Sequence, residues 1–124
     1  MNLADMLEKD WQAQVIETAR LLGYRHFHTY RSTRSPEGFP DLVLVGRRVI
    51  FVELKREKTQ PTDRQKHWLT MLHNAGAEVY LARPRHLQAL TTVLSTGLWT
   101  TDPKHSAARS ELVAELRNHL LEGA

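Results

Sequence analysis

The chain contains no cysteine. Disulfides, thiolate catalysis and cysteine-ligated zinc are therefore excluded together, and a reducing compartment, the cytoplasm, is the expected location. No apolar run approaches the roughly 20 residues that span a bilayer, so no membrane segment is expected. The opening MNLADMLEKDW has acids where a secretory leader carries basic residues followed by an apolar stretch. There is no internal repeat and no low-complexity tract. The seven histidines show no zinc spacing such as HExxH, and no P-loop, Rossmann glycine pattern or nucleophilic-serine elbow occurs. Charge of one sign is also scarce. The 17 basic against 14 acidic residues give only +3. That balance permits a nucleic-acid partner without demonstrating one.

What is present is an ordinary globular composition. The 124 residues are 41% hydrophobic and 25% charged, enough for one core and too few for two. Leu3, Leu7, Trp11, Val15, Ala19 and Leu22 recur at spacings of three and four, which predicts a helix over 3–22 closed by Gly23. A short strand is expected over His26 to Arg31, then a loop containing Pro36 and Gly38. Asp41–Val45 and Val49–Lys55 read as two strands of a hairpin turning at Gly46-Arg47. Thr62 is a good N-cap for a second helix running to about Ala75, followed by a strand over Ala77–Ala82 and a third helix over 85–94. A last helix is expected over 107–121, with Leu112, Leu116 and Leu120 as its stripe. The fold class is α/β, a mixed sheet with helices packed on it.

The chemistry concentrates in Pro40-Asp41, eleven intervening residues, and Glu53-Leu54-Lys55. Strand side chains alternate faces, so Glu53 and Lys55 share a face that Leu54 does not. An otherwise apolar strand thus ends by pointing a carboxylate and an amine side by side. A carboxylate pair facing one point repels unless a cation lies between, and oxygen ligands suit Mg²⁺ or Mn²⁺. The bland alternative is a solvated edge pair. Register separates the two. A two-residue turn places Asp41 opposite Val52 and turns Glu53 away, whereas a three-residue loop, Gly46 to Arg48, places Asp41 opposite Glu53. The site requires the odd loop or a bulge.

Helix one offers two further acids. Glu8 and Glu17 lie about 180° apart around the axis, and Glu8 is within about 50° of the apolar stripe. Glu8 can thus face the sheet, although an acid in a first helical turn is also simply favoured by the dipole. Gln65 continues the inward stripe Gln65, Trp68, Leu69, Leu72 of the second helix. It either caps the helix end or supports the site. Arg31, Arg34, Arg56, Lys58 and Arg64, together with Arg47, Arg48 and Lys66, are candidates for a phosphate-tracking rim; scattered surface charge is the alternative.

Taken in order, Glu8, Phe39-Pro40-Asp41, Glu53-Leu54-Lys55, Gln65 and the strand AGAEVYLARP resemble the VRR-NUC family, a branch of the PD-(D/E)XK nuclease superfamily. The resemblance covers about Glu8 to Leu94. It divides the chain into a nuclease core over 1–95 and a C-terminal extension with a helix over 96–124. It implies a restriction-endonuclease-like αβββαβ core and metal-dependent hydrolysis of DNA phosphodiesters. By position, Asp41, Glu53 and the main-chain carbonyl of Leu54 would hold Mg²⁺ or Mn²⁺, with Glu8 ligating directly or through water. Lys55 would orient the attacking water, and Gln65 would support the site. Single-domain members resemble Holliday-junction resolvases and act as dimers, so branched DNA and a second copy of the chain are the expected partners. The candidate self-association surfaces are Leu112, Val113, Leu116 and Leu120 on the last helix and the Leu98-Trp99 segment. A non-catalytic DNA-binding or assembly module that keeps the fold is the rival reading.

Overall fold

In the computed structural model, which describes residues 2–29, 37–96 and 102–122, four strands form one open sheet. The elements are α1 (Glu8–Leu21), β1 (Arg25–His28), β2 (Leu42–Val45), β3 (Val49–Leu54), α2 (Asp63–Asn74), β4 (Glu78–Ala82), α3 (Leu87–Ser95) and α4 (Pro103–Arg117). The sheet order is β1-β2-β3-β4. β1 and β3 both pair antiparallel with β2, and β4 joins β3 in parallel through the α2 crossover. The sheet is mixed, as expected.

Alternation along the strands builds two cores. Leu42, Leu44, Ile50, Val52 and Leu54 face a cluster containing Trp11, Val15 and Ala19 of α1 and Leu90, Val93 and Leu94 of α3. On the opposite face Val79 and Leu81 meet Leu69 of α2 and Leu116 of α4, with Phe51, Leu72 and Leu120 packed alongside.

The first helix begins later than the stripe predicts. Leu3–Asp5 form a separate 3-10 turn whose N-cap, Asn2, accepts from the Ala4 N–H. Met6 and Leu7 are then extended before α1 starts at Glu8. Leu3 and Leu7 stay exposed, and Met6 enters the core instead. β1 starts at Arg25 and ends at His28, and the expected continuation past Thr29 lies outside the described residues. A 3-10 turn at Pro84–His86 precedes α3.

The last helix is displaced toward the N-terminus. Asp102 caps it by accepting from the Lys104 N–H, Pro103 occupies its first turn, and it ends at Arg117. Ala108 and Leu112 join the first core and Leu116 the second. α4 therefore wraps the outer edge of β4 and protects a strand edge that would otherwise be open. This overturns Leu112 and Leu116 as a self-association surface: both are enclosed by the chain's own core. Val113 and Leu120 are packed against those clusters as well. Leu98-Trp99 lies outside the described residues.

The β2–β3 turn has three residues. Val45 pairs with Val49, and the Gly46 N–H donates to the Arg48 carbonyl. Arg48 is turned inward, donating to both Glu78 carboxylate oxygens at 2.5 and 3.0 Å, to the Tyr24 hydroxyl, and to the carbonyls of Val93 and Thr96. Gly46 lies so close to the Tyr24 ring that a Cβ would come within 2.7 Å of it. Arg48 is thus a structural pin and not part of a phosphate rim.

Replacement of Leu116 by Asp should destabilise the monomer by about 3–5 kcal/mol, because it loses core packing and buries an unpaired charge. Urea unfolding checks this. A midpoint shift equivalent to less than 1 kcal/mol, which is the usual range for surface changes, would mean that α4 is not part of the core.

Candidate active site

The register places the chemistry. Leu42 pairs with Val52, so one residue further along Asp41 stands opposite Glu53. Asp41 is also the partner of Thr29, whose N–H donates to the Asp41 carbonyl at 2.8 Å. Thr29, Asp41 and Glu53 therefore form one row across three strands, with their side chains on one face of the sheet. The row lies at the carboxyl ends of β1, β3 and β4, where open α/β sheets bind their ligands. α1 and α2 both begin at this end, because each runs back along the sheet to the start of the next strand.

Asp41 is held by its surroundings. Its Oδ2 accepts from the Leu54 N–H at 2.9 Å. The preceding Phe39 makes edge contacts with Phe51 of β3 and Trp68 of α2, at centroid distances of 5.9 and 5.0 Å. Gly38, at φ +92°, runs against the backbone of Arg64, and a Cβ there would meet the Arg64 carbonyl carbon at 2.6 Å. Only glycine fits that approach.

Glu53 is the unusual group. It is 1% exposed, and neither carboxylate oxygen has a hydrogen-bond donor in acceptable geometry. The nearest cation is Lys55, whose Nζ lies 3.8 Å from Glu53 Oε2 and whose side chain is 13% exposed. Burial, reinforced by the Asp41 charge, pushes the Glu53 carboxyl well above the usual carboxylate range, with Lys55 opposing. Asp41 is raised as well, first by burial and then by the negative charge of Glu8, against the Leu54 hydrogen bond and Lys55. Glu8 is thus close enough to be felt at the pair. Glu17 instead forms a solvent-exposed ion pair with Arg20.

An expectation from the sequence, that the two carboxylates lie on the sheet face toward helix one, is overturned. Leu54, Val52 and Leu42 take that side, and Asp41 and Glu53 point to the α2 side. Glu8 acts from the end of α1, across the sheet edge, not from above its face.

The remaining candidates divide. Gln65 completes a capping box: its Oε1 accepts from the Thr62 N–H at 2.8 Å, and Thr62 Oγ1 accepts from the Gln65 N–H. Its carbonyl oxygen therefore orders the start of α2. Arg56 Nε donates to the Met6 carbonyl, Arg64 pairs with Glu37 in solvent, and Lys58 is exposed. Arg31 and Arg34 lie outside the described residues.

Two groups near the site were not apparent from the sequence. The Thr29 hydroxyl is buried without a partner beside Asp41. Its place in the row is visible only when the β1–β2 register is known, so no sequence signal marks it. The Trp11 Nε1–H and the Lys55 N–H both donate to the Ala82 carbonyl, at 3.0 and 3.1 Å. This ties α1 to the end of β4 and to the lysine backbone.

Comparison with known proteins places this arrangement. The VRR-NUC domain family model matches residues 6–86. The chain belongs to the VRR-NUC family. A solved VRR-NUC domain structure shares 28% sequence identity with it at a TM-score of 0.58, covering 67% of this chain and 91% of that one. No curated protein matches. The family carries a nuclease fold, and α4 with Glu115 and Leu116 lies beyond the matched residues.

A buried carboxylate pair with raised pKa values opposes folding at neutral pH. The folded state holds its proton more tightly than the unfolded chain, so the contribution of the pair falls as pH rises from the usual carboxylate range through its raised values. Without metal, Glu53→Gln should therefore raise stability near pH 8 by about 1 kcal/mol, or roughly 3–6 °C in Tm, and the gain should shrink toward pH 4. Thermal melts across that range in EDTA check this. A lower Tm for the variant at pH 8 would contradict the account of the pair.

Proposed function

We propose that the chain is a metal-dependent DNA endonuclease that hydrolyses phosphodiester bonds, with branched DNA such as a four-way junction as its substrate. One observation carries the reading: a fully buried glutamate, its oxygens without a hydrogen bond of acceptable geometry, stands beside an aspartate on the neighbouring strand and 3.8 Å from a lysine. Such a group is unfavourable in a protein that does nothing with it. Intact Asp41, Glu53 and Lys55 therefore favour an enzyme over a non-catalytic binding module.

The oxygens fit a hard divalent cation. Among the described residues no three His, Asp or Glu side chains form a ready cage. Mg²⁺ commonly takes one or two carboxylates and keeps several waters, so a pair suffices. Asp41, Glu53 and the Leu54 carbonyl would hold Mg²⁺ or Mn²⁺, with Glu8 reaching the ion directly or through water. The ion would supply Lewis-acid stabilisation of charge on the phosphate oxygens. Lys55, on the same face as Glu53, orients the attacking water and steadies the negative charge at phosphorus as the water oxygen bonds and the leaving oxygen departs. Arg56, Lys58 and Arg64, with Arg31 and Arg34, contact the DNA backbone as a sequence-independent rim.

One site cuts one strand, and resolving a junction takes two symmetric cuts, so the active form is a two-fold dimer. With the leucines of α4 enclosed, the exposed apolar groups suited to that contact are Phe27, Val45 and Val49. They share the part of the sheet face that α2 leaves open.

A labelled four-way junction, incubated with Mg²⁺, Mn²⁺ or EDTA, tests the reading. Paired strand cuts should appear with either metal and vanish in EDTA. Glu53→Gln should abolish them with the fold intact, and Lys55→Ala should reduce the rate by about 100-fold or more. Cutting by Glu53→Gln at the wild-type rate would refute the site. DNA binding without cleavage by the wild type would establish the binding module instead.

A further inference from the structure

Residues 56–59 follow Lys55 directly and form no helix or strand. Their carbonyls converge on one side chain. Arg83, 3% exposed just past the end of β4, donates through Nη1 to the carbonyls of Arg56 and Thr59, each at 2.6 Å, and of Glu57 at 3.4 Å. Its Nε donates to the carboxylate of Glu115 on α4. Two residues on, Arg85 holds the Glu57 carboxylate through its N–H and its Nη1, both at 2.7 Å, and its Nη2 reaches Glu115 Oε1 at 3.4 Å. Asn118 Nδ2 approaches the other Glu115 oxygen at 3.5 Å.

A guanidinium at this depth needs a counter-charge. Within α4 that charge comes from Glu115. Burial alone would raise the Glu115 carboxyl, but the Arg83 hydrogen bond and the positive charges of Arg83 and Arg85 hold it below the usual carboxylate range. Without it, Arg83 would be left buried and unpaired and would have reason to turn toward water. Three carbonyls of the loop after Lys55 would then lose the Arg83 donor together, and Arg56 would keep only the long bonds from Thr59 at 3.4 Å. The same loop reaches the other side of the site, because Arg56 Nε bonds the Met6 carbonyl two residues before Glu8.

We propose that Glu115, acting through Arg83, is a positioning residue for Lys55 and the 56–59 loop, so that α4, outside the matched family region, sets the efficiency of the nuclease site. This rests on the nuclease reading for its catalytic consequence and on geometry alone for the clamp. Glu115→Gln removes the counter-charge at constant shape. Arg83→Lys keeps the charge but offers a point donor in place of a planar fork that bridges several carbonyls. Glu115→Asp keeps the charge with a shorter reach.

Two readouts test it on the full chain: backbone hydrogen exchange without metal or DNA, and single-turnover and steady-state junction cleavage. In Glu115→Gln and Arg83→Lys, amides of residues 56–60 should exchange about tenfold faster or more, while those of β2 and α1 keep their protection. Cleavage kcat should fall by about tenfold or more with KM within about twofold, and Glu115→Asp should recover part of both. If Glu115→Gln fails to fold, Glu115→Asp and Arg83→Lys carry the same comparison. Unchanged exchange at 56–60, or a uniform rise across the core, overturns the clamp. Wild-type kcat in variants whose loop has loosened overturns the positioning role. Absence of cleavage by the wild-type protein removes the nuclease reading, and the exchange data still decide the clamp.

Discussion

A three-residue turn joins β2 to β3, and the pairing of Asp41 with Glu53 follows from that count. The strand period is two, so a slip of one residue would send Glu53 to the other face of the sheet and set Val52 against Asp41. At the site end the Asp41–Leu54 hydrogen bond and the Phe39–Phe51 contact hold the count. At the far end of the hairpin Arg48 leaves the ladder to satisfy buried Glu78, Tyr24 and two carbonyls, and Gly46 passes beneath the Tyr24 ring. A slip would break that buried network, leaving Arg48 or Glu78 unpaired, and would also turn Leu42, Leu44, Ile50 and Val52 out of the core. The structural arginine and the two carboxylates are therefore parts of one arrangement, separated by the length of a strand.

The site end of the sheet is secured in several directions. Phe39 between Phe51 and Trp68 fixes the approach to Asp41. The Ala82 carbonyl, shared by Trp11 and Lys55, links α1, β3 and β4. Arg83 and Glu115 secure the loop beyond Lys55. Within this frame, the Glu53 carboxylate has no hydrogen bond of acceptable geometry and the Thr29 hydroxyl has no partner. Buried polar groups in folded proteins are nearly always satisfied, so unsatisfied oxygens gathered in one row support the proposed cation site.

Much of this was legible in the sequence for identifiable reasons. Helix caps and strand alternation gave the element order, and the odd-loop condition correctly named the register that the site needs. Glu8 was separated from Glu17 by helical angle alone. Other features depended on tertiary contacts. Leu3 and Leu7 matched a helical stripe, but an Asn2-capped turn and two extended residues broke it, so Met6 took the buried place. The leucines of α4 gave an amphipathic pattern that could not say which surface they would meet, and they met β4. Gln65 sat at an inward spacing because it completes a capping box. Arg48 reads as a rim or surface charge and Arg83 carries no local signal, since the acids that pair with them, Glu78 and Glu115, are distant in sequence. The face on which Asp41 and Glu53 lie followed from which helix covers which side, a choice that local pattern does not encode.

The central claim is that the Asp41–Glu53 pair is a cation site. It is tested most directly by calorimetric titration of the DNA-free protein with Mn²⁺, beside Glu53→Gln and Lys55→Ala. The account predicts a saturable binding event in the wild-type protein, accompanied by proton release at pH values where the pair is still partly protonated. It predicts that this event is lost in Glu53→Gln and kept in Lys55→Ala. Equal Mn²⁺ binding by wild type and Glu53→Gln, or no binding by either, would contradict it.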